Sequence, residues 1–237
     1  MDEMAIQDQK LDQIFTRIGG VSCFHIFLFF AINAGMSTMF FIPFSMGFLT
    51  QEPVYKCAFS TDEPHDPAKV CTVENICADD KRIVNFEPDY SNANSLDNWV
   101  MRLNLTCASK FHKGALGSAF FFGWVLTLLW MPRLGDILGR SLLYRITVFV
   151  DLLMFLAVFF IKRWVPMIVV LTVIGAFTSI RYNIGYVYLL EFFPKESRPI
   201  VGSCQGILRG LIALALALYF WKINKNWIFI MAFAWLL

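Results

Sequence analysis

Met131-Pro-Arg-Leu-Gly-Asp-Ile-Leu-Gly-Arg-Ser141 is the stretch on which the reading of this chain turns. It is a short polar link between two long apolar runs, one ending at Trp130 and the next covering about 142–161. A link this short makes the two runs antiparallel neighbours. Each run is about the 20 residues that a helix needs to cross a bilayer. Gly135 and Gly139 let the backbone turn tightly, and Arg133, Asp136 and Arg140 hold the link in water.

Composition points the same way. The 237 residues are 57% hydrophobic and 16% charged, against about 25% charged in a soluble domain. Phe occurs 25 times, more than a soluble core of this size can hold. The net charge of +2 and the lack of a basic stripe argue against a nucleic-acid partner. The partner implied is the lipid bilayer, and the fold class expected is an all-α membrane protein.

Taken in order, residues 1–17 mix Asp2, Glu3, Asp8 and Asp12 with Lys10 and Arg17. A signal peptide would show a basic end and a short apolar region, so this is read as a cytoplasmic lead. Residues 18–49 form transmembrane helix 1, with Gly35 and Pro43 able to bend it. Asn33 and Ser37 share one face, either as interhelical hydrogen-bonding groups or as lining of a substrate path.

Residues 50–113 lose the helical period and become a polar outer loop. It holds Cys57, Cys71, Cys77 and Cys107, four of the six cysteines. An even number in one hydrophilic loop predicts two disulfides in an oxidising compartment, with three connectivities open. Zinc is the competing reading, but paired C-x2-C knuckles are missing and His65 and His112 fit no ligand pattern. No metal or other cofactor is expected. Asn104-Leu-Thr106 is an N-x-[ST] sequon, making Asn104 a glycosylation candidate.

Residues 114–237 carry helices 2–5 and the start of a sixth. The spans fall at about 114–131, 142–161, 165–190 and 200–221, and an apolar run of about eleven residues from Trp227 is short of a span. Lys10, Arg17, Arg133, Arg140, Arg145, Lys195 and Arg198 fall on one side, and Lys162, Arg163, Lys222 and Lys225 on the other. This bias puts the N-terminus in the cytoplasm and the cysteine loop outside.

The link at 131–141 resembles the loop between helices 2 and 3 of the major facilitator superfamily, G-x-L-A-D-R-x-G-R-K. Leu134, Asp136, Gly139 and Arg140 match in register, while Pro132, Ile137 and Ser141 replace the first glycine, the inner basic residue and the final one. Further stretches resemble the organic cation, anion and zwitterion transporters among the solute carriers. They are Phe44 to Cys57, Asn104-Leu-Thr-Cys107 and Gly185-Tyr-Val-Tyr-Leu-Leu-Glu-Phe-Phe-Pro-Lys-Glu-Ser-Arg198, with Tyr219 and Asn226-Trp227 beyond. Arg102 and Leu103 stand where that family has an acidic residue and a tryptophan, and Leu171 where it has an arginine. The resemblance covers the N-terminal half of a family member. It implies the N-terminal six-helix bundle of a major-facilitator fold, its sixth helix incomplete, with the disulfide loop between helices 1 and 2. It also implies a cytoplasmic gate of Asp136, Arg140, Glu191 and Arg198.

Arg181 and Arg209 carry the most chemical information. Each lies about ten residues from a polar loop, hence roughly 15 Å deep in its helix. An arginine at that depth costs about 2.5–3.5 kcal/mol on insertion scales, so it faces a partner or a wet cavity. Asp151 is the buried acid available to pair with one, leaving a residual positive charge. Thr178, Arg181, Gly185 and Tyr188 share a stripe on helix 4, and Thr178, Arg181 and Tyr188 with Asn33 and Arg209 form the expected substrate pathway. On helix 5, Gly202, Gly206 and Gly210 recur every four residues and predict a close helix approach.

The function expected is transport of small organic ions by alternating access, anions or zwitterions ahead of cations, at the plasma membrane or an internal one. No Ser/His/Asp set, P-loop or dinucleotide loop supports an enzyme. The competing reading is a non-transporting half-transporter, either an accessory membrane subunit or a truncated product of a transporter gene. In either case the glycine face of helix 5 calls for a C-terminal half, a second copy or another membrane protein.

Overall fold

A computed structural model of the chain describes residues 21–59, 69–78, 83–92, 95–223 and 226–236. The cytoplasmic lead at 1–17 and His65 lie outside the described residues, as does the side chain of Asp136.

The first span is broken. Helix α1 (Cys23–Ser37) opens at Ser22, whose hydroxyl and backbone exchange hydrogen bonds with the third residue of the helix in a capping box. It gives way to a single 3-10 turn, Thr38–Phe40, before α2 (Phe41–Leu49) continues toward the cysteine loop. Pro43 has no N–H to give to the carbonyl of Met39, so the α-helical ladder is interrupted there. The Thr38 hydroxyl donates to the Gly35 carbonyl at 3.0 Å and holds the tighter winding.

The outer loop has structure that its irregular sequence conceals. Strands β1 (Tyr55–Phe59), β2 (Lys69–Cys71) and β3 (Ile83–Pro88) form an antiparallel sheet in the order β2-β1-β3. Tyr55 pairs with Cys71 and Cys57 with Phe86, so Tyr55 and Cys57 turn inward while Lys56 and Ala58 turn outward. A short helix α3 (Val73–Cys77) follows β2. The cysteines pair as Cys57–Cys71 and Cys77–Cys107, one of the three connectivities that the sequence leaves open. At the sheet's exposed corner, Lys56 lies 2.8 Å from Asp89. That ammonium and the Ser91 hydroxyl hold the Asp89 carboxyl down at about 2.

Beyond the loop come α4 (Trp99–Arg102), α5 (Lys110–Leu128), α6 (Met131–Leu138), α7 (Arg140–Phe160) and α8 (Trp164–Glu191). A 3-10 turn, Lys195–Ser197, leads into α9 (Arg198–Leu218), which loosens into a π turn at Tyr219–Ile223, and α10 (Trp227–Leu236) follows. The link read as a turn at 131–141 is instead mostly helix: Pro132 opens α6 and Gly139, at φ 78°, closes it. Four helical stretches are long and apolar enough to cross a membrane: Cys23–Leu49, Arg140–Phe160, Trp164–Glu191 and Lys195–Ile223. They mark a membrane protein. Helix α5 is helical where a second span was expected but is not one of the four, because glycines, Ser118, Thr127 and two lysines dilute it.

The loop is sewn to the helices. Asn98 caps α4 through the Val100 N–H and donates to the carbonyls of Phe48 and Gln51 at 3.0 and 2.6 Å, closing the end of α2. Arg102 donates to the carbonyls of Phe159 and Ile161 at the end of α7, where a cation offsets the helix dipole. Trp99 meets Trp227 of α10 edge to face, with both rings fully buried. Lys113 is buried and pairs with Glu52 at 2.7 Å.

Among the described residues, the close helix approach lies between α5 and α8. A Cβ at Gly123 of α5 would strike the Thr172 carbonyl of α8, and one at Gly175 of α8 would strike the Phe120 carbonyl of α5. Thr127 adds a hydrogen bond to the Ala176 carbonyl at 3.3 Å across this crossing. On α9, by contrast, Gly210 faces open space, Gly206 has only the tip of Arg209 near it, and Gly202 meets the Tyr186 hydroxyl. A close approach needs a partner backbone opposite, and within the described residues the glycine face of α9 has none, as expected of a face that calls for a partner outside this chain.

Candidate functional site around the broken helix

Both deep arginines converge on the 3-10 turn of the first span. Arg181 of α8 donates through Nη2 to the Thr38 hydroxyl at 2.9 Å. Arg209 of α9 holds its Cζ 5.8 Å from the centre of the Phe40 ring. The 3-10 turn therefore presents a hydroxyl to one guanidinium and an aromatic face to the other. A 3-10 stretch inside a helix is a common place for a hinge.

The surroundings of the two cations differ. Arg181 is 3% exposed and Asp151 of α7 is 2% exposed. Their charged atoms, Nε and Oδ2, are 3.4 Å apart, an ion pair without a hydrogen bond. Both carboxylate oxygens of Asp151 lack a hydrogen-bond partner among the described residues. The pair lines a cavity of about 260 Å³ with Gly35, Thr38, Phe155 and Trp235. A cavity of that size, with Asp151, Arg181 and Thr38 set in an otherwise apolar wall, has room for water or a small polar group. Tyr144 of α7 wedges beside it, its ring against Gly185 and its hydroxyl against Gly35, where any side chain would crowd it.

Arg209 is half-buried and forms no ion pair among the described residues. Its Nη1 donates to the Tyr182 hydroxyl at 2.6 Å, and its Cζ lies 5.4 Å from the Tyr182 ring centre. The Phe40 and Tyr182 rings stand at 81° to one another, 5.9 Å between centres, and form a corner around the guanidinium. One turn before Arg209, Gln205 is 1% exposed. Its amide nitrogen reaches the Met36 sulfur at 3.5 Å, and its carbonyl oxygen has no partner among the described residues.

The other expected pathway residues scatter. Thr178 is fully buried, one turn before Arg181, and its hydroxyl has no partner among the described residues. Asn33 is buried but spends its amide on the Phe29 carbonyl at 2.8 Å, and Ser37 donates back to the Asn33 carbonyl at 2.6 Å. Both bond along their own helix, so neither joins two helices. Tyr188 packs edge to face on Phe192 near the end of α8, away from Arg181. Tyr182, Phe40, Thr38 and Gln205 are the site residues that the sequence reading passed over. Tyr182 sits about 100° around α8 from Arg181, outside the stripe that was traced.

The expected gate is divided. Arg140 and Glu191 form an exposed ion pair that ties the start of α7 to the end of α8. Arg198 instead donates to the Phe193 carbonyl at 3.2 Å. Asp136 is placed in α6, one turn before Arg140, and its side chain lies outside the described residues. Asn104 is exposed and left-handed at φ 53°. In sequence comparison, no family model and no curated protein matches this chain.

Proposed function

We propose that this chain is the N-terminal bundle of a multi-pass secondary transporter of the major-facilitator type, moving small organic ions by alternating access. The convergence of one buried and one half-buried arginine on a mid-span 3-10 turn carries this reading. Helix breaks at membrane depth are tolerated where they line a cavity, and transporters place substrate there. Asp151 neutralises Arg181, and Arg209 keeps its charge, so the site prefers organic anions or zwitterions. Arginine suits that role because its planar fork binds carboxylate, sulfate or phosphate bidentately and stays ionised. The exposed Arg140–Glu191 pair is of the weak, solvated kind that can break and reform as a cytoplasmic gate. The outer loop, glycosylated at Asn104, faces the outside of the plasma membrane.

Uptake by vesicles reconstituted with a complete transporter carrying this bundle tests this with labelled organic anions, zwitterions and cations. Parent protein takes up anions or zwitterions, and Arg209→Gln or Arg181→Gln abolishes that uptake while inserting normally. Unchanged uptake in both variants, or uptake of cations alone by the parent, overturns the proposal.

A second reading has its own support. Ile200, Ile207, Leu211, Leu214 and Leu218 of α9 are exposed apolar residues, a face suited to another membrane subunit. A stable complex with a second membrane protein that neither binds nor moves organic ions would favour an accessory role.

A further inference from the structure

We infer that Arg209 is a built-in occupant of a cation-binding corner, and that it sets the charge selectivity of the site by barring organic cations. The inference rests on the reading above only in taking the turn at Thr38–Phe40 to face the substrate path.

The Phe40 and Tyr182 rings meet at 81° and present two faces to one point. That point is filled by the guanidinium, 5.8 and 5.4 Å from the two ring centres. Ring faces carry the negative lobe of the aromatic quadrupole, and a corner of two such faces also suits a quaternary ammonium. The corner is braced from behind. Tyr186 stacks on Tyr182 at 13°, and Trp124 packs on Tyr182 at 41°, 5.9 Å between centres. Phe44 stacks on Phe40 at 18°. The rings thus have support that does not depend on Arg209.

What the corner lacks is an acid. No carboxylate reaches Arg209 among the described residues, and Asp151 lies with Arg181. The guanidinium is held by two ring faces, the Tyr182 hydroxyl and its own tether. A tethered cation needs no acid to stay, because its helix holds it at high effective concentration. A free cation meets both the filled corner and an unneutralised positive charge. Arg209 therefore excludes cations twice, by occupancy and by repulsion, while offering its outer edge to an anion.

Truncating Arg209 should empty the corner and convert it to a site for quaternary ammonium. The test is equilibrium binding of labelled choline to the purified chain in nanodiscs. Its neutral isostere 3,3-dimethylbutan-1-ol serves as competitor. Arg209→Ala and Arg209→Gln should each bind choline at least about tenfold more tightly than the parent. Arg209→Lys, which keeps the tethered charge, should show no gain. Adding Phe40→Leu or Tyr182→Leu to Arg209→Ala should remove the gain, although the repulsive charge is gone there too. The isostere should not compete. Folded Arg209→Ala and Arg209→Gln with no gain would overturn the inference, as would equal competition by the isostere or a gain that survives loss of either ring. If neither variant folds, tetramethylammonium or methylguanidinium added during refolding should restore the yield where urea does not. Failure of both cations to restore it would also overturn the inference. Choline binding needs no transport, so the two readings fail separately. A variant that gains choline while the parent moves no anion sinks the transport reading alone. A parent that moves anions with variants that gain nothing sinks the corner alone.

Discussion

Helices α8 and α9 each carry one deep arginine, and they treat it in opposite ways. In α8, 44% of the apolar window is buried, against 17% in the α9 span. Helix α8 is locked against α5 by facing glycines, and its Arg181 is 3% exposed with an acid within reach. Helix α9 leans on α1, α2 and α8 with one stripe, Val201, Gln205, Arg209 and Leu216, and leaves its other faces open. Its arginine is half-buried and satisfied by aromatic rings and a phenol. The degree to which a helix is enclosed decides whether its cation needs a counter-ion. Full desolvation of an ion costs several kcal/mol, whereas partial exposure leaves a contact worth about 0.5–2 kcal/mol sufficient.

The largest expected effect separates the two arginines. Removing one member of a buried ion pair leaves the other uncompensated, so Asp151→Asn should destabilise the protein by about 3–5 kcal/mol. Arg209→Gln strands no opposite charge and should cost only about 0.5–2 kcal/mol. Asp151→Asn combined with Arg181→Gln should recover much of the first loss. Unfolding in mixed detergent micelles measures all three. Equal costs at the two sites would break the comparison.

Next come the glycines. Gly123→Ala and Gly175→Ala press a methyl into a facing carbonyl and should cost about 1–3 kcal/mol each, by the same unfolding measurement. Gly210→Ala meets open space and should stay within about 0.5 kcal/mol of the parent. A penalty at Gly210 as large as at Gly175 would mean that something covers α9.

Much of this was legible in the sequence. The apolar runs place the four candidate spans, the cysteine cluster announces the two disulfides, and one acid among two arginines foretells one paired arginine and one with no acid beside it among the described residues. The rest depends on pairings between residues far apart in the chain. Gly202, Gly206 and Gly210 have the spacing of a close crossing, yet Gly123 and Gly175 make it, because two backbones must lack side chains at the same point. The loop's strands, Tyr55–Phe59, Lys69–Cys71 and Ile83–Pro88, are too short to signal themselves and gain their shape from each other and from Cys57–Cys71. Phe40 and Tyr182 read as ordinary apolar residues of two separate helices until Arg209 of a third brings them together.

A smaller difference concerns motion. Amides in the middle of α8, around 178–184, should exchange hydrogen at least about tenfold more slowly than those of α9 around 207–214, a gap of roughly 1.4 kcal/mol in local opening. Mass-spectrometric exchange in micelles resolves the two peptides. Equal protection would show that α9 is as firmly held as α8.

The smallest effect lies where the end of α8 meets the start of α9, the end expected to face the cytoplasm. Glu191 closes α8 and Arg198 opens α9, and as a gate the two would be expected to act together. They are instead engaged apart: Glu191 with Arg140 of α7, and Arg198 with the Phe193 carbonyl. The Arg140–Glu191 side chains are 37% and 49% exposed, so solvent and salt screen the pair strongly. A double-mutant cycle with Arg140→Gln and Glu191→Gln should give a coupling of about 0.2–1 kcal/mol at low salt, lost at high ionic strength. The cycle pairing Glu191→Gln with Arg198→Gln should give a coupling near zero, because those side chains do not meet. Arg198→Gln keeps a donor for the Phe193 carbonyl and should change stability little. A Glu191–Arg198 coupling equal to or above that of Arg140–Glu191 would mean that the ends of α8 and α9 are one electrostatic unit. The contrast between an enclosed α8 and a loosely held α9 would then stop at the membrane surface.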